Sequence, residues 1–141
     1  MIRSIYIDLL FVGDALDARD AKVLFDHEIR AVVDVAANEP AAQLPREIIY
    51  CRFPLLDGDG NSPEMLQMAV STAVRLIKHK FRTLVACSAG MSRSPAIAAM
   101  ALAQLTGDSE DECLKKITER GPHDVSPLLW LRMKEALKLR D

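Results

Sequence analysis

The sequence predicts an α/β protein with a central, largely parallel, twisted sheet that is flanked by helices. Short apolar runs rich in β-branched residues alternate with longer amphipathic stretches, which is typical of parallel strands connected by helices. The 141 residues are enough for one domain with a hydrophobic core, and 50% of them are hydrophobic and 27% charged, as in an ordinary globular protein. We therefore expect residues 1–141 to form a single domain.

The predicted elements follow one another in a strand–helix order. The strands are short and apolar, and they are expected at Ser4–Tyr6, Leu10–Val12, Ala31–Ala36, Ile48–Phe53 and Thr83–Cys87. The helices have apolar residues at helical spacing, and they are expected at Ala18–His27, Pro63–Lys80, about Pro95–Leu105, from Ser109 to Gly121, and from Ser126 onward.

Local signals mark where these helices begin and end. Ser62 can cap the helix that begins at Pro63, because a proline suits the first helical position. Gly107 ends the helix that is expected at about Pro95–Leu105. The spacing from Ser109 to Glu112 predicts a capping box for the next helix. In the last helix we expect three leucines to face the core, namely Leu128, Leu131 and Leu137.

The bulk properties exclude several classes of protein. A net charge of −2 does not suit a general nucleic-acid binder or an electrostatic membrane anchor. The N-terminal stretch does not resemble a signal peptide, and no apolar run is long enough to span a bilayer, so we expect a cytoplasmic protein. Three cysteines and three scattered histidines show no metal-ligand spacing, so we expect neither a disulfide framework nor a metal or cofactor. We expect a monomer.

The stretch VACSAGMSRSPAI, residues 85–97, carries the main chemical signal. Cys87 ends a strand, Arg93 follows six residues later, and the residues between them are mostly small: Ser88, Ala89, Gly90, Met91 and Ser92. If this loop wraps around an anion, its backbone N–H groups and the start of the next helix converge on one point. The Arg93 guanidinium can bind two phosphate oxygens, and the same positive environment favours the thiolate of Cys87.

A simpler interpretation is that Cys87 is a small buried hydrophobic residue, as many cysteines after apolar strands are. The strand–loop–helix context, Gly90 and the serine at position 94 favour a nucleophile instead. The other two cysteines do not repeat the pattern, because Asp57 and Glu119 stand six residues after them.

The run from Cys87 to Pro95 resembles the signature of the cysteine-dependent protein phosphatases, and most of all the dual-specificity branch. Other segments occur in that family's order over nearly the whole chain, namely LFVGDA, AVVDVA, FPLLD and SPLLWLRMKEAL. The resemblance implies a protein-tyrosine-phosphatase-like fold. It also implies hydrolysis of phosphotyrosine and of phosphoserine or phosphothreonine in phosphoprotein substrates, through a cysteinyl-phosphate intermediate.

The resemblance further implies a general acid, and Asp57 stands at the family's position, three residues after Pro54. Protonation of a leaving oxygen can contribute about 10²–10⁴-fold to the rate. An Asp-Gly step is also a common turn, and Asp59 is the alternative acid. The spacing of Asp57, Asp59 and Asn61 does not fit a calcium loop, because the required glycine and glutamate are missing. Ser94 could hydrogen-bond the departing thiolate or simply cap the helix.

Two departures from the family's pattern leave alternatives open. The residue before the cysteine is usually a histidine but is Ala86 here, and Asp34 replaces a frequent asparagine. A phosphate-binding module without turnover is therefore one alternative, although such a module needs neither Cys87 nor Asp57. The other alternative is the same chemistry on a phosphorylated glycan, an RNA end or an inositol lipid, and the lack of lysines in the loop counts against the lipid.

Overall fold

A five-stranded sheet forms the centre of the protein in a computed structural model that describes residues 1–139. Along the chain, the strands are β1 (Arg3–Tyr6), β2 (Leu10–Gly13), β3 (Ala31–Ala36), β4 (Ile49–Leu55) and β5 (Thr83–Ala86). The helices are α1 (Ala15–Arg19), α2 (Ala21–Asp26), α3 (Pro63–Lys78), α4 (Arg93–Thr106), α5 (Glu110–Thr118) and α6 (Pro127–Lys138). The predicted domain also includes residues 140–141, which lie outside the described part.

The sheet is mixed but mostly parallel, as predicted. The strand order is β1-β2-β5-β3-β4, and among these neighbours the pair β1–β2 is antiparallel while the others are parallel. Strand β5 is central, since Val85 pairs with Val12 on one side and with Val33 on the other. Because Cys87 follows β5 directly, it lies at the carboxyl end of the sheet's middle strand, where open α/β sheets bind their ligands.

The two faces of the sheet pack into two hydrophobic clusters. Side chains alternate along β5, so that Val85 and Cys87 belong to the cluster formed with α3, α4, α5 and α6. Leu84 and Ala86 point the other way, into a smaller cluster that includes Leu24 of α2. Cys87 and Ala86 therefore lie on opposite faces of the sheet. Cys87 packs in the larger cluster with the helices, and Ala86 packs in the smaller one.

The predicted helix Ala18–His27 is wrong, because the structure has two short helices there. Asp14 caps the first, and its backbone N–H in turn binds the carboxylate of Asp17. The backbone of Asp20 is extended, and its carboxylate accepts hydrogen bonds from Lys22 and Val23 to start a new helix. An aspartate that bonds the backbone ahead of it thus competes with continuation of the helix.

The predicted core face of the last helix is also wrong at two positions. Leu128 and Leu131 are exposed, whereas Leu137 packs partly buried against the core. The side chains that α6 buries are Leu129, Met133 and Ala136. Their spacing of four and three residues places them on one face, which a count of leucines alone does not reveal.

The remaining element predictions differ from the structure mainly at their ends. The strand Ala31–Ala36 has the predicted bounds, and Ser62 and Ser109 cap their helices through the hydroxyl oxygen. Helix α4 begins at Arg93, earlier than predicted, and Gly107 ends it in a left-handed conformation. No helix in residues 1–139 is both long enough and apolar enough to cross a membrane.

One pair of variants tests which face of α6 is buried. Leu129 is 0% exposed and Leu131 is 49% exposed. We expect Leu129→Ala to lower the free energy of unfolding by about 2–5 kcal/mol, because it leaves a cavity in the core. Leu131→Ala should change it by no more than about 0.5 kcal/mol. Urea unfolding of both variants checks this, and similar losses would contradict the assigned helix orientation.

Candidate active site

Cys87 is buried at the end of β5 and has one close side-chain partner. The residue is 2% exposed, and its backbone N–H donates to the carbonyl of Gly13 on the neighbouring strand at 3.4 Å. Its Sγ lies 3.2 Å from the hydroxyl of Ser94, which is fully buried. A hydroxyl that donates to this sulfur stabilises the thiolate form, which is the nucleophilic form of a cysteine.

The loop after Cys87 surrounds a small cavity. The cavity has a volume of about 170 Å³, and it is lined by Asp57, Cys87, Ser88, Ala89, Met91, Ser92, Arg93 and Asp124. Within the described chain, the backbone N–H groups of residues 88–94 donate to no protein acceptor. Apart from the exposed Ala89, these residues are buried or half-buried, and five of the seven line the cavity. Backbone donors in such places are normally paired, so a group of them beside one cavity suits an anionic ligand.

Gly90 does not line the cavity, although the sequence places it in the binding loop. Its φ is +73°, and an added Cβ would lie 2.9 Å from the carbonyl oxygen of Gly13. A glycine is thus required because the loop turns back against β2. The Arg3 guanidinium fixes the same turn by donating to the Gly90 carbonyl at 2.8 Å.

Arg93 is a buried cation without a carboxylate partner among residues 1–139. It is 6% exposed, and it donates from Nη1 to the Leu55 carbonyl at 2.9 Å and from Nη2 to the Ser88 hydroxyl at 3.1 Å. Its Nε is buried and has no hydrogen-bond partner among the described residues. Since a buried charge is costly unless it is paired, this guanidinium is arranged to receive an anion.

Asp57 lies beside the cavity in the loop that follows β4. Its Oδ1 accepts a hydrogen bond from the Ser92 hydroxyl at 2.6 Å. The side chain of Asn61 closes this loop, because it accepts from the Leu56 N–H at 2.8 Å and donates to the Leu56 carbonyl at 2.9 Å. Asp57 is therefore held beside the cavity by the hydrogen bond from the Ser92 hydroxyl and by the loop that Asn61 closes.

Asp59, the alternative acid, is directed elsewhere. Its Oδ1 lies 3.0 Å from Nε of Arg132 on α6, and it is not among the residues that line the cavity. The hydrogen bond from Arg132 lowers the pKa of Asp59, which keeps this carboxylate ionised. An ionised carboxylate outside the cavity cannot donate a proton to a group bound there, so the geometry favours Asp57.

Known proteins resemble this chain in structure but not detectably in sequence. No family model and no curated protein matches the sequence. Human DUSP28 superposes with a TM-score of 0.83 at 21% identity, over 98% of this chain and 96% of that one. A mouse putative dual specificity phosphatase, complexed with zinc tungstate, gives 0.84 at 21% identity over 97% and 86%. The chain has the dual-specificity phosphatase fold.

A third structure with this fold is the human tyrosine phosphatase-like serine/threonine/tyrosine-interacting protein. It gives a TM-score of 0.82 at 20% identity and covers 99% of this chain and 98% of its own. These likenesses confirm the fold that the signature implied.

Ser94 does not cap the helix, so that interpretation of the sequence is wrong. Helix α4 begins at Arg93, and the residue at its cap is Ser92, whose side chain makes no capping hydrogen bond. Ser94 is inside the first turn, which directs its hydroxyl to Cys87. The Ser92 hydroxyl is used differently, as the donor to Asp57.

The two residues that depart from the family's pattern, Ala86 and Asp34, do not line the cavity. Ala86 is 1% exposed and packs in the smaller core, so a histidine there would require the neighbouring core side chains of this chain to repack. The carboxylate of Asp34 accepts from the Ala36 N–H at 3.0 Å and from the Tyr50 hydroxyl at 2.5 Å. Burial, together with this bond to Asp34, raises the pKa of the Tyr50 hydroxyl. Asp34 thus joins β3 to β4.

Sequence reasoning missed three residues that shape this phosphatase-fold cavity. Asn38 accepts a hydrogen bond from the Ser88 hydroxyl at 3.0 Å, and Asn61 closes the Asp57 loop. Asp124 lines the cavity itself, and its backbone N–H donates to the Met91 carbonyl at 2.8 Å. All three lie in connecting segments far from Cys87 in sequence, where a lone Asn or Asp looks like an ordinary turn residue.

Proposed function

We propose that the protein is a phosphomonoester hydrolase that removes phosphate from phosphotyrosine and from phosphoserine or phosphothreonine through a cysteinyl-phosphate intermediate. One observation supports this most strongly. Cys87, Arg93 with its unpaired Nε, and four loop residues whose N–H groups have no acceptor in the described chain line the same cavity; the four are Ser88, Ala89, Met91 and Ser92. A nucleophile beneath a group of anion donors is the arrangement that attack on phosphorus requires.

In the first step the Cys87 thiolate attacks the phosphorus, so that a sulfur–phosphorus bond forms and the bond to the leaving oxygen breaks. The charge on the three equatorial oxygens would be stabilised by the loop N–H groups and by Arg93. Asp57 would protonate the leaving oxygen through Oδ2, because Oδ1 is occupied by the Ser92 hydroxyl. The products are a free alcohol or phenol and the cysteinyl-phosphate.

In the second step a water molecule attacks the cysteinyl-phosphate, and the Asp57 carboxylate takes its proton. The sulfur–phosphorus bond breaks, and inorganic phosphate leaves. Sulfur departs as a thiolate, and the Ser94 hydroxyl at 3.2 Å is placed to donate a hydrogen bond to it. Nucleophile, anion donors and acid all come from this chain, so the proposed reaction needs no metal or cofactor, and a reducing cytoplasm would keep the thiol active.

A phosphate-binding module without turnover is the second candidate. Ala86 favours it, and one protein with this fold is named as phosphatase-like and as an interacting protein. Against it stand the positions of Asp57 and Ser94, since binding alone requires neither a proton donor nor a hydroxyl on the Cys87 sulfur. The enzyme therefore remains the better-supported proposal.

A lipid phosphate is less well supported as the substrate. PTPMT1 shares the fold, at 20% identity and a TM-score of 0.77, and was crystallised in complex with PI(5)P. In this chain, however, the described cavity lining offers one basic side chain, Arg93, together with the carboxylates Asp57 and Asp124. A headgroup with several phosphates would meet too few cations there.

Release of inorganic phosphate from a panel of phosphopeptides and a small aryl phosphate tests the proposed function. We expect turnover by the native protein and none above a few percent of it by Cys87→Ser, which lacks the thiolate. The same variant should still bind tungstate, because its loop N–H groups and Arg93 are unchanged. A native protein that binds tungstate and phosphopeptides without releasing phosphate would instead establish the binding module.

The role of Asp57 predicts a dependence on the leaving group. Asp57→Asn should lower kcat for a phosphoserine peptide by about 10²–10⁴-fold, because an alkoxide leaves poorly without a proton. The loss should be much smaller for an aryl phosphate with an acidic phenol. Asp59→Asn is the matched control and should leave both rates near the native values. Equal losses on the two substrates, or a larger loss in the control, would move the acid away from Asp57.

A further inference from the structure

Two carboxylates share the cavity with the proposed phosphate donors. Asp57 comes from the loop after β4, and Asp124 comes from the segment between α5 and α6. Within residues 1–139, neither forms an ion pair with a basic side chain. The cavity that must receive a phosphate dianion therefore also presents unpaired negative charge.

Asp124 is held firmly at this position by its backbone. Its N–H donates to the Met91 carbonyl at 2.8 Å, and two residues later the N–H of Ser126 donates to the Ser92 hydroxyl at 2.9 Å. Both partners belong to the loop that follows Cys87, so these bonds join the segment to the loop. The Asp124 side chain, in contrast, is exposed and makes no hydrogen bond within the described chain.

The two carboxylates differ in what binding demands of them. Asp57 carries a proton when it acts as the general acid, which removes its charge from the reactive complex. Asp124 has no such role, and its carboxylate repels an incoming dianion. Arg93 does not pair with Asp124 in the described chain, because its Nη1 and Nη2 donate to the Leu55 carbonyl and the Ser88 hydroxyl. The charge of Asp124 is thus left for a cation that comes with the ligand.

A metal ion is not the cation that this arrangement suits. No group of three or more His, Cys, Asp or Glu side chains is placed to hold a metal ion within the described residues. Lysine and arginine side chains of a peptide can reach a carboxylate at the rim of a cavity and form charge-assisted hydrogen bonds with it.

From this geometry, and on the basis of the proposed function, we infer that Asp124 is a specificity-determining residue. It selects phosphopeptides that carry lysine or arginine next to the phosphorylated residue, and it disfavours those with acidic neighbours. The substrate class is therefore a phosphorylated residue in a basic sequence.

Matched phosphopeptides that differ only in their flanking residues test this inference. Three peptides carry arginine, alanine or glutamate on both sides of one phosphotyrosine, and their affinities are measured with the Cys87→Ser protein, which does not turn them over. We expect the arginine peptide to bind about tenfold more tightly than the glutamate peptide at low ionic strength, and the difference to shrink as salt screens the charges. The native protein should show the same order in kcat/KM.

The variant Asp124→Asn, added to Cys87→Ser, should weaken binding of the arginine peptide and strengthen binding of the glutamate peptide. A merely structural defect would weaken both, so the opposite signs identify a charge effect. Asp26→Asn is the matched control, because it removes one carboxylate from the end of α2, away from the cavity, where Asp26 pairs with Lys22. It should leave the preference unchanged.

The results also distinguish this inference from the proposed function. If no substrate releases phosphate, the proposed enzymatic function is wrong. A charge preference that depends on Asp124 in the binding assay would still support the inference. The inference is overturned if the three peptides bind equally, if the preference survives Asp124→Asn, or if Cys87→Ser binds none of the peptides.

Discussion

Unpaired donors at the carboxyl end of β5 are the constraint around which this molecule is organised. The N–H groups of residues 88–94 and the Nε of Arg93 have no acceptor in the described chain. Arg93 is 6% exposed, and a buried charge without a counter-ion costs free energy. In the proposed reaction, a tetrahedral dianion accepts hydrogen bonds from the donors that line the cavity. Cys87 lies at the same cavity, so the ligand that satisfies the donors is also the group that the sulfur can attack.

Contacts from distant parts of the chain hold this arrangement in place. The Gly13 carbonyl on β2 accepts from the Cys87 N–H, and Gly90 approaches the same carbonyl so closely that an added Cβ would lie 2.9 Å from its oxygen. The Leu55 carbonyl at the end of β4 orients Arg93, and the Ser92 hydroxyl links the loop both to Asp57 and to Ser126. Parallel pairing brings these strand ends to one edge of the sheet, so the loop geometry depends on the sheet register rather than on the loop sequence alone.

Local patterns predicted the features that depend on a few neighbouring residues. The strand Ala31–Ala36 is uniformly apolar apart from Asp34, and the loop after Cys87 has a distinctive set of small residues, so both could be identified in the sequence. Features that depend on tertiary contacts could not be predicted from the sequence. The helix breaks at Asp20 because its carboxylate binds backbone N–H groups ahead of it in place of helix continuation. The orientation of α6 depends on how Met133 and Ala136 pack. Asp124 is a lone acidic residue in a connecting segment, and only the fold brings it to the cavity.

Stabilisation of the folded protein by tungstate tests the central claim, that the loop and Arg93 form a site for a tetrahedral dianion, most directly. At about 100 times its Kd, tungstate should stabilise the native protein by about 2.7 kcal/mol, because it binds the folded state alone. For a chain of this size that raises Tm by about 5–10 °C. In Arg93→Lys the shift should be largely lost, since an ammonium cannot reproduce the paired contacts of a guanidinium. A native protein whose Tm does not respond to tungstate, or an Arg93→Lys variant with an undiminished shift, would contradict the account.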